Sequence, residues 1–157
     1  MIEQIYSFFT LEMIYLWVNL GVLPFWFILI FFPKSQISKV FVTSIFPILL
    51  LAISYSYLLY INYENGYDFL QNFKLYLGFG QILNLFESQS FVILLWVHFL
   101  AMNLFCGGWI IKDSQLFGMN KILVSLSLIM TYLIGPIGIV IYWIIRLFYA
   151  KRISLYD

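Results

Sequence analysis

Ser88–Ile111 reads SQSFVILLWVHFLAMNLFCGGWII, twenty-four consecutive residues without an Asp, Glu, Lys or Arg. At ~1.5 Å of rise per residue, a helix of this length crosses the ~30 Å hydrocarbon core of a bilayer. Three further windows share the property: Met13–Pro33, Val40–Tyr63 and Ile122–Ile145, of 21, 24 and 24 residues. An ionised side chain at mid-membrane costs several kcal/mol, which explains the exclusion. The expected fold is all-α and integral to a membrane. It has four transmembrane helices and a short amphipathic interfacial segment between the second and third.

Composition points the same way. Charged residues make up 10% of the chain and hydrophobic ones 64%, against roughly 25% charged in soluble domains. The 157 residues are expected to form a single transmembrane domain over 1–157, too small to hold a soluble nucleotide-binding or hydrolase domain as well. A net charge of +1 gives no basic footprint for nucleic acid. Cys106 stands alone, so neither an intrachain disulfide nor a CxxC centre can form. Glu3 and Glu12 occupy the place of a signal peptide's lysines, and no small-residue cleavage site follows, so the first window is expected to be retained. Four crossings would put Lys34, Lys39, Lys112 and Lys121 on one side and Lys74, Arg146, Lys151 and Arg152 on the other. That even split leaves the orientation open.

Within the windows, prolines and glycines mark the irregular points. Leu23-Pro24-Phe25-Trp26 predicts a kink near Gly21–Pro24, with Trp26 well inside the span. Glu12 and Asn19 share a helical face, and Asn19 is expected to bond a neighbouring helix. Pro47 belongs to the first turns of the second span or kinks it. Tyr55, Tyr57 and Tyr60 form an aromatic belt or line a flat pigment site, the belt being the commoner use. Between the second and third spans, Phe69, Leu70, Phe73, Tyr76 and Leu77 recur at helical spacing. Ile82, Leu83, Leu85 and Phe86 follow a Gly78-Phe79-Gly80 break. Two short amphipathic pieces on the membrane surface are expected, as a lid over a lipid-accessible cleft or as an ordinary interfacial loop.

The third span holds the densest polar chemistry. At ~100° per residue, His98, Met102, Phe105, Trp109 and Lys112 fall on one face, and Asn103, Gly107 and Ile110 on another. Lys112-Asp113 is expected to mark the exit into water. In the fourth span, Gly135-Pro136-Ile137-Gly138 loosens the hydrogen-bond ladder and opens a groove. The freed carbonyls need partners, so the element is expected inside the bundle, with Arg146 snorkelling to the interface beside Lys151 and Arg152.

His98 is the only histidine and lies deep in its window, which makes it a functional candidate beside its alternative use in a helix–helix contact. One histidine cannot furnish the two-histidine, one-carboxylate set of a non-haem iron oxygenase, so no metal and no cofactor are expected. Cys106 has no histidine three or four residues away, and no G-x-S-x-G or P-loop is present. Acid–base chemistry remains, with His98, Asp113, Glu87 and Glu12 as candidate groups, aided by Asn103 or a tyrosine. The expected catalytic set is His98, Asn103 and Asp113. The expected walls of a substrate site are Trp26, Trp96, Met102, Phe105, Trp109, Gly135 and Gly138. Isomerisation of a lipid-dissolved substrate suits this toolkit, and so does binding of a long polyene between aromatic walls.

Three blocks carry a family likeness. They are Asn19-Leu20-Gly21-Val22-Leu23-Pro24-Phe25-Trp26; Leu85-Phe86 with Trp96–Phe105, Trp109-Ile110 and Asp113; and Gly135-Pro136-Ile137-Gly138 with Tyr142 and Arg146. In these blocks, spread over roughly residues 10–148, the chain resembles the abscisic-acid-deficient-4-like family of small four-span membrane proteins. Plant members of that family are associated with neoxanthin formation. Asn103 stands where the family pattern usually has an aspartate, and Gly108 where it often has an arginine. The resemblance implies a carotenoid-related role. Neoxanthin formation opens an epoxide while a proton leaves the neighbouring chain carbon, a step that needs an acid and a base and no net oxidation. The resemblance thus implies a carotenoid or isoprenoid isomerase. Alternatives are a non-catalytic carotenoid- or lipid-binding subunit, or a carotenoid-cleaving oxygenase supplying retinal. The implied partners are a carotenoid or other isoprenoid lipid, membrane lipids, and a homo-oligomer or larger membrane complex. The implied location is a bacterial inner membrane or a plastid-type membrane.

Overall fold

The computed structural model of the chain describes residues 9–38, 44–151 and 153. Glu3, Lys39, the opening of the second window at 40–43 and Arg152 lie outside the described residues. Regular structure among the described residues is entirely helical. In chain order the elements are α1 (Leu11–Phe31), α2 (Phe46–Glu64), a 3₁₀ helix (Phe69–Tyr76), α3 (Phe79–Phe86), α4 (Gln89–Leu116), α5 (Lys121–Ile134) and α6 (Pro136–Ala150).

Helices α1, α2 and α4 are long and apolar enough to cross a membrane. They correspond to the first three charge-free windows. α1 continues through Pro24 to Phe31, so the proline does not end the helix. Pro47 is the second residue of α2, where a missing N–H leaves little unsatisfied. Just before it, Ser44 Oγ accepts a hydrogen bond from the Phe46 N–H at 3.2 Å. The stretch between α2 and α4 forms the two short pieces that its spacing predicts. Asp68 caps the 3₁₀ helix by accepting from the Leu70 N–H at 3.0 Å, and Gly78, at φ +138°, separates it from α3. Leu70, Phe73, Tyr76, Leu77 and Phe79 are exposed.

The fourth window departs from expectation. It is not one helix but two, α5 and α6, separated at Gly135, whose φ of +45° is a left-handed conformation that a side chain would strain. Neither piece has the length of a crossing helix. The chain doubles back at the break. In a continuous helix, residues 119 and 142 would lie about 35 Å apart, yet Met119 Sδ is 3.5 Å from the Tyr142 hydroxyl. Asn120 caps the start of α5 by accepting from the Ile122 N–H at 2.8 Å. Pro136 opens α6 at the position where its fixed φ and absent N–H suit a helix. Gly138 makes the close packing of the hairpin possible, because a Cβ there would overlap the Thr131 backbone. The groove expected around Gly135 and Gly138 is therefore filled, by Thr131 at Gly138 and by the Asn103 side chain at Gly135.

The contacts fall into two compact units, Met1–Leu20 with Leu49–Ala101, and Gly21–Ile48 with Met102–Asp157. In the first, Trp96 Nε1 donates to Asn19 Oδ1 at 3.2 Å, and Asn19 Nδ2 donates to the Tyr15 carbonyl at 2.6 Å. Asn19 thus bonds a neighbouring helix, as its position on α1 predicts. The second unit contains the α5–α6 hairpin. Ser125 Oγ of α5 donates to the Ile30 carbonyl at 2.6 Å, and Gln115 Nε2 of α4 donates to the Pro33 carbonyl at 2.7 Å. The first satisfies a carbonyl in the last turn of α1, and the second a carbonyl two residues beyond its end.

Gly138→Ala is expected to lower stability by about 1–3 kcal/mol through overpacking. Gly21→Ala, where a Cβ meets nothing within 4 Å, is expected to be neutral or slightly stabilising. Thermal unfolding of the two variants in detergent measures the difference.

Candidate functional site

Asp113, near the end of α4, is buried rather than delivered into water. Its Oδ2 accepts from Arg146 Nε at 2.7 Å and from the Tyr142 hydroxyl at 2.5 Å, and its Oδ1 accepts from Arg146 Nη2 at 3.3 Å. Arg146 is 1% exposed and Tyr142 is fully buried. Arg146 therefore does not snorkel to the interface, because a buried carboxylate and two rings surround it. Its guanidinium lies 4.9 Å from the centroids of both Phe117 and Trp143. The Trp109 ring meets the Tyr142 ring edge-on at 5.5 Å. Tyr142 and Arg146 are four residues apart on α6, so one helical face carries both donors to one carboxylate. Burying this pair is expensive, and the cost is offset only because the carboxylate accepts several well-directed bonds. The arrangement holds a charge; it offers no open base to a substrate.

Higher on α4, Asn103 lies against the hairpin turn, where a Cβ on Gly135 would come within 2.7 Å of Asn103 Oδ1. Asn103 is buried, and its Nδ2 has no hydrogen-bond partner among the described residues. One turn further on, Gly107 admits the Trp26 ring: a Cβ there would fall 2.9 Å from Trp26 Cη2. Trp26 is 2% exposed and packs against Tyr132 at a centroid distance of 5.3 Å. Trp26, Gly135 and Gly138, expected as substrate walls, thus serve helix packing.

The two faces read from α4 are real, and the structure decides which points inward. Asn103, Gly107 and Ile110 are buried, whereas His98, Met102, Phe105 and Lys112 are exposed. His98 belongs to the first unit, Asn103 and Asp113 to the second, and His98 lines neither the cleft of the first unit nor the groove of the second.

The first unit contains a cleft of about 500 Å³ between the start of α1 and the α3–α4 junction. Leu11, Tyr15, Phe86 and Trp96 give it apolar and aromatic walls, and Glu12 and Glu87 both line it. Both carboxylates are acid–base candidates from the sequence, but at 75 residues apart no local pattern pairs them. Trp96 is the expected substrate-site residue that this cleft contains. The second unit contains a groove of about 360 Å³ lined by Ile45, Ile48, Leu104, Phe105, Trp109 and Lys112, with Ser44 and Gly108 completing it. Among the described residues, no three His, Cys, Asp or Glu side chains group as a metal-binding set.

Comparison with known proteins gives a consistent result. A family model described as ABA DEFICIENT 4-like matches residues 13–142. The chain is 30% identical over 129 residues to Protein ABA DEFICIENT 4, chloroplastic, of Arabidopsis thaliana. That alignment covers 80% of this chain and 57% of the plant protein, so the chain spans a little over half the length of its curated relative. No solved structure matches.

Removing one partner of the buried pair strands the other. Asp113→Asn is expected to cost about 3–5 kcal/mol. Combining Asp113→Leu with Arg146→Met is expected to cost less than the sum of the two single changes, because neither charge is then left unpaired. A double-mutant cycle on detergent unfolding midpoints reads the coupling.

Proposed function

The chain belongs to the ABA DEFICIENT 4-like family, and from that premise we propose that it is a membrane-embedded isomerase acting by acid–base chemistry on a carotenoid or related isoprenoid. The membrane reading draws support from three helices of spanning length and from apolar side chains turned outward along them, among them Leu20, Phe27, Ile53 and Phe105. A plastid-type or bacterial inner membrane is the proposed location, the first supported by the chloroplastic relative.

One observation carries the chemistry: the aromatic cleft lined by both Glu12 and Glu87. Conversion of an epoxide to an allene breaks a carbon–oxygen bond, adds a proton to the oxygen and removes one from the neighbouring chain carbon. Two carboxyl groups facing one cleft can divide this work, one as general acid and the other as general base. The cleft lies where the first window begins and the third begins, the level at which a polyene's polar ring end would rest. Trp96, Tyr15 and Phe86 would flank that ring. In this assignment the catalytic groups are Glu12 and Glu87 rather than His98, Asn103 and Asp113.

A second reading, a non-catalytic pigment-binding subunit, draws on Asp113, whose carboxylate is committed to Arg146 and Tyr142. Expression in bacterial hosts that make β-carotene, zeaxanthin or violaxanthin, with chromatography of extract and purified protein, separates the two. The isomerase reading expects a new carotenoid. It also expects Glu12→Gln and Glu87→Gln each to lower its formation by about 10²-fold or more while pigment retention persists. Asn103→Asp, at a residue that does not line the cleft, is expected to leave turnover unchanged. Unaltered pigment co-purifying with the protein would establish the binding subunit. Loss of turnover in His98→Gln, with both glutamine variants active, would return the chemistry to His98.

A further inference from the structure

The groove of the second unit has a polarity that the proposed reaction does not use. Its floor and walls are apolar: Ile45, Ile48, Leu104, Phe105 and Trp109. Lys112 stands at its edge, exposed, with no ion pair or hydrogen bond among the described residues. The adjacent carboxylate, Asp113, points away from it and is bonded to Arg146 and Tyr142. No acidic residue lines the groove.

The hairpin concentrates cations around this end of the unit. Arg146 returns to the end of α4, and Pro33 is hydrogen-bonded to Gln115. Lys34 follows Pro33, Lys121 opens α5 and Lys151 closes α6, and all three are exposed. Four straight crossings would have carried Arg146 and Lys151 away from Lys112 and Lys121. The reversal at Gly135 removes that even division. In a membrane, such an excess of Lys and Arg marks the cytoplasmic-type face, whose leaflet is rich in anionic lipid.

We propose that this groove is a binding site for an anionic phospholipid, with an acyl chain along Ile48, Leu104, Phe105 and Trp109 and the phosphate on Lys112. Charge complementarity selects the occupant: an unpaired cation closes an otherwise apolar channel that faces lipid. The proposal rests on the membrane reading above, which a requirement for detergent in extraction tests separately. Phe105 and Trp109 then hold a structural lipid and not the polyene.

The test uses the full chain in neutral detergent, supplied in turn with phosphatidylglycerol and phosphatidylcholine. Native mass spectrometry measures retention and thermal unfolding measures the accompanying shift. Phosphatidylglycerol is expected to be retained about fivefold more tightly, the preference that one lysine at a membrane surface supplies. Lys112→Gln, at an exposed position, is expected to abolish that preference while leaving unfolding without added lipid unchanged. Gly108→Leu fills the groove from a position where a Cβ meets nothing within 4 Å, and is expected to reduce retention of both lipids. Equal retention of the two lipids by the wild type, or an undiminished preference in Lys112→Gln, would overturn the proposal. So would an unfolding shift with soluble glycerol phosphate as large as that with phosphatidylglycerol.

Discussion

The second unit depends on one buried interaction, the Asp113 carboxylate held by Arg146 and Tyr142. An arginine that is 1% exposed needs a counter-charge, and a carboxylate buried near the end of α4 needs donors. Each makes the other tolerable. The donors come from α6 and the acceptor from α4, so the pair forms only if α6 runs back along α5. The reversal at Gly135 and the side-chain-free surface at Gly138 are the conditions for that return. Phe117 and Trp143 complete the enclosure by lying against the guanidinium.

A division of labour between the units follows. In the second unit several polar side chains serve structure: Ser125 bonds an open carbonyl of α1, Gln115 the Pro33 carbonyl beyond it, Ser127 and Thr131 α5's own backbone, and Asp113 the ion pair. The first unit leaves Glu12 and Glu87 facing a cleft, outside any such network among the described residues. In the proposed function these carboxylates, beside aromatic walls, supply the acid and the base. A carboxylate already accepting three bonds does not.

Much of the helical plan was legible. Charge exclusion marked α1, α2 and α4, and the spacing around Gly78 marked the two short helical pieces between α2 and α4. The partition of α4 into two faces was also correct, but its polarity was not readable. In water, a helix's polar face is its outer face. In lipid, the outward face is as apolar as the core, so a lone His98 carries no sign of direction. That Glu12 and Glu87 line one cleft was hidden for another reason. Residues 75 apart reach one cleft only when the start of α1 comes to the α3–α4 junction, and no periodicity records that.

The sequence by itself determined where charge could not go, hence which segments become apolar helices, and the family likeness carried by its three blocks. Tertiary structure alone decided that the fourth apolar window folds back on itself. Twenty-four uncharged residues satisfy a straight crossing and a hairpin equally well, since both keep charges out of lipid. What separates them is whether Gly135 can take a left-handed turn and whether Arg146 finds Asp113. Both depend on contacts between helices, and local sequence pattern does not encode them.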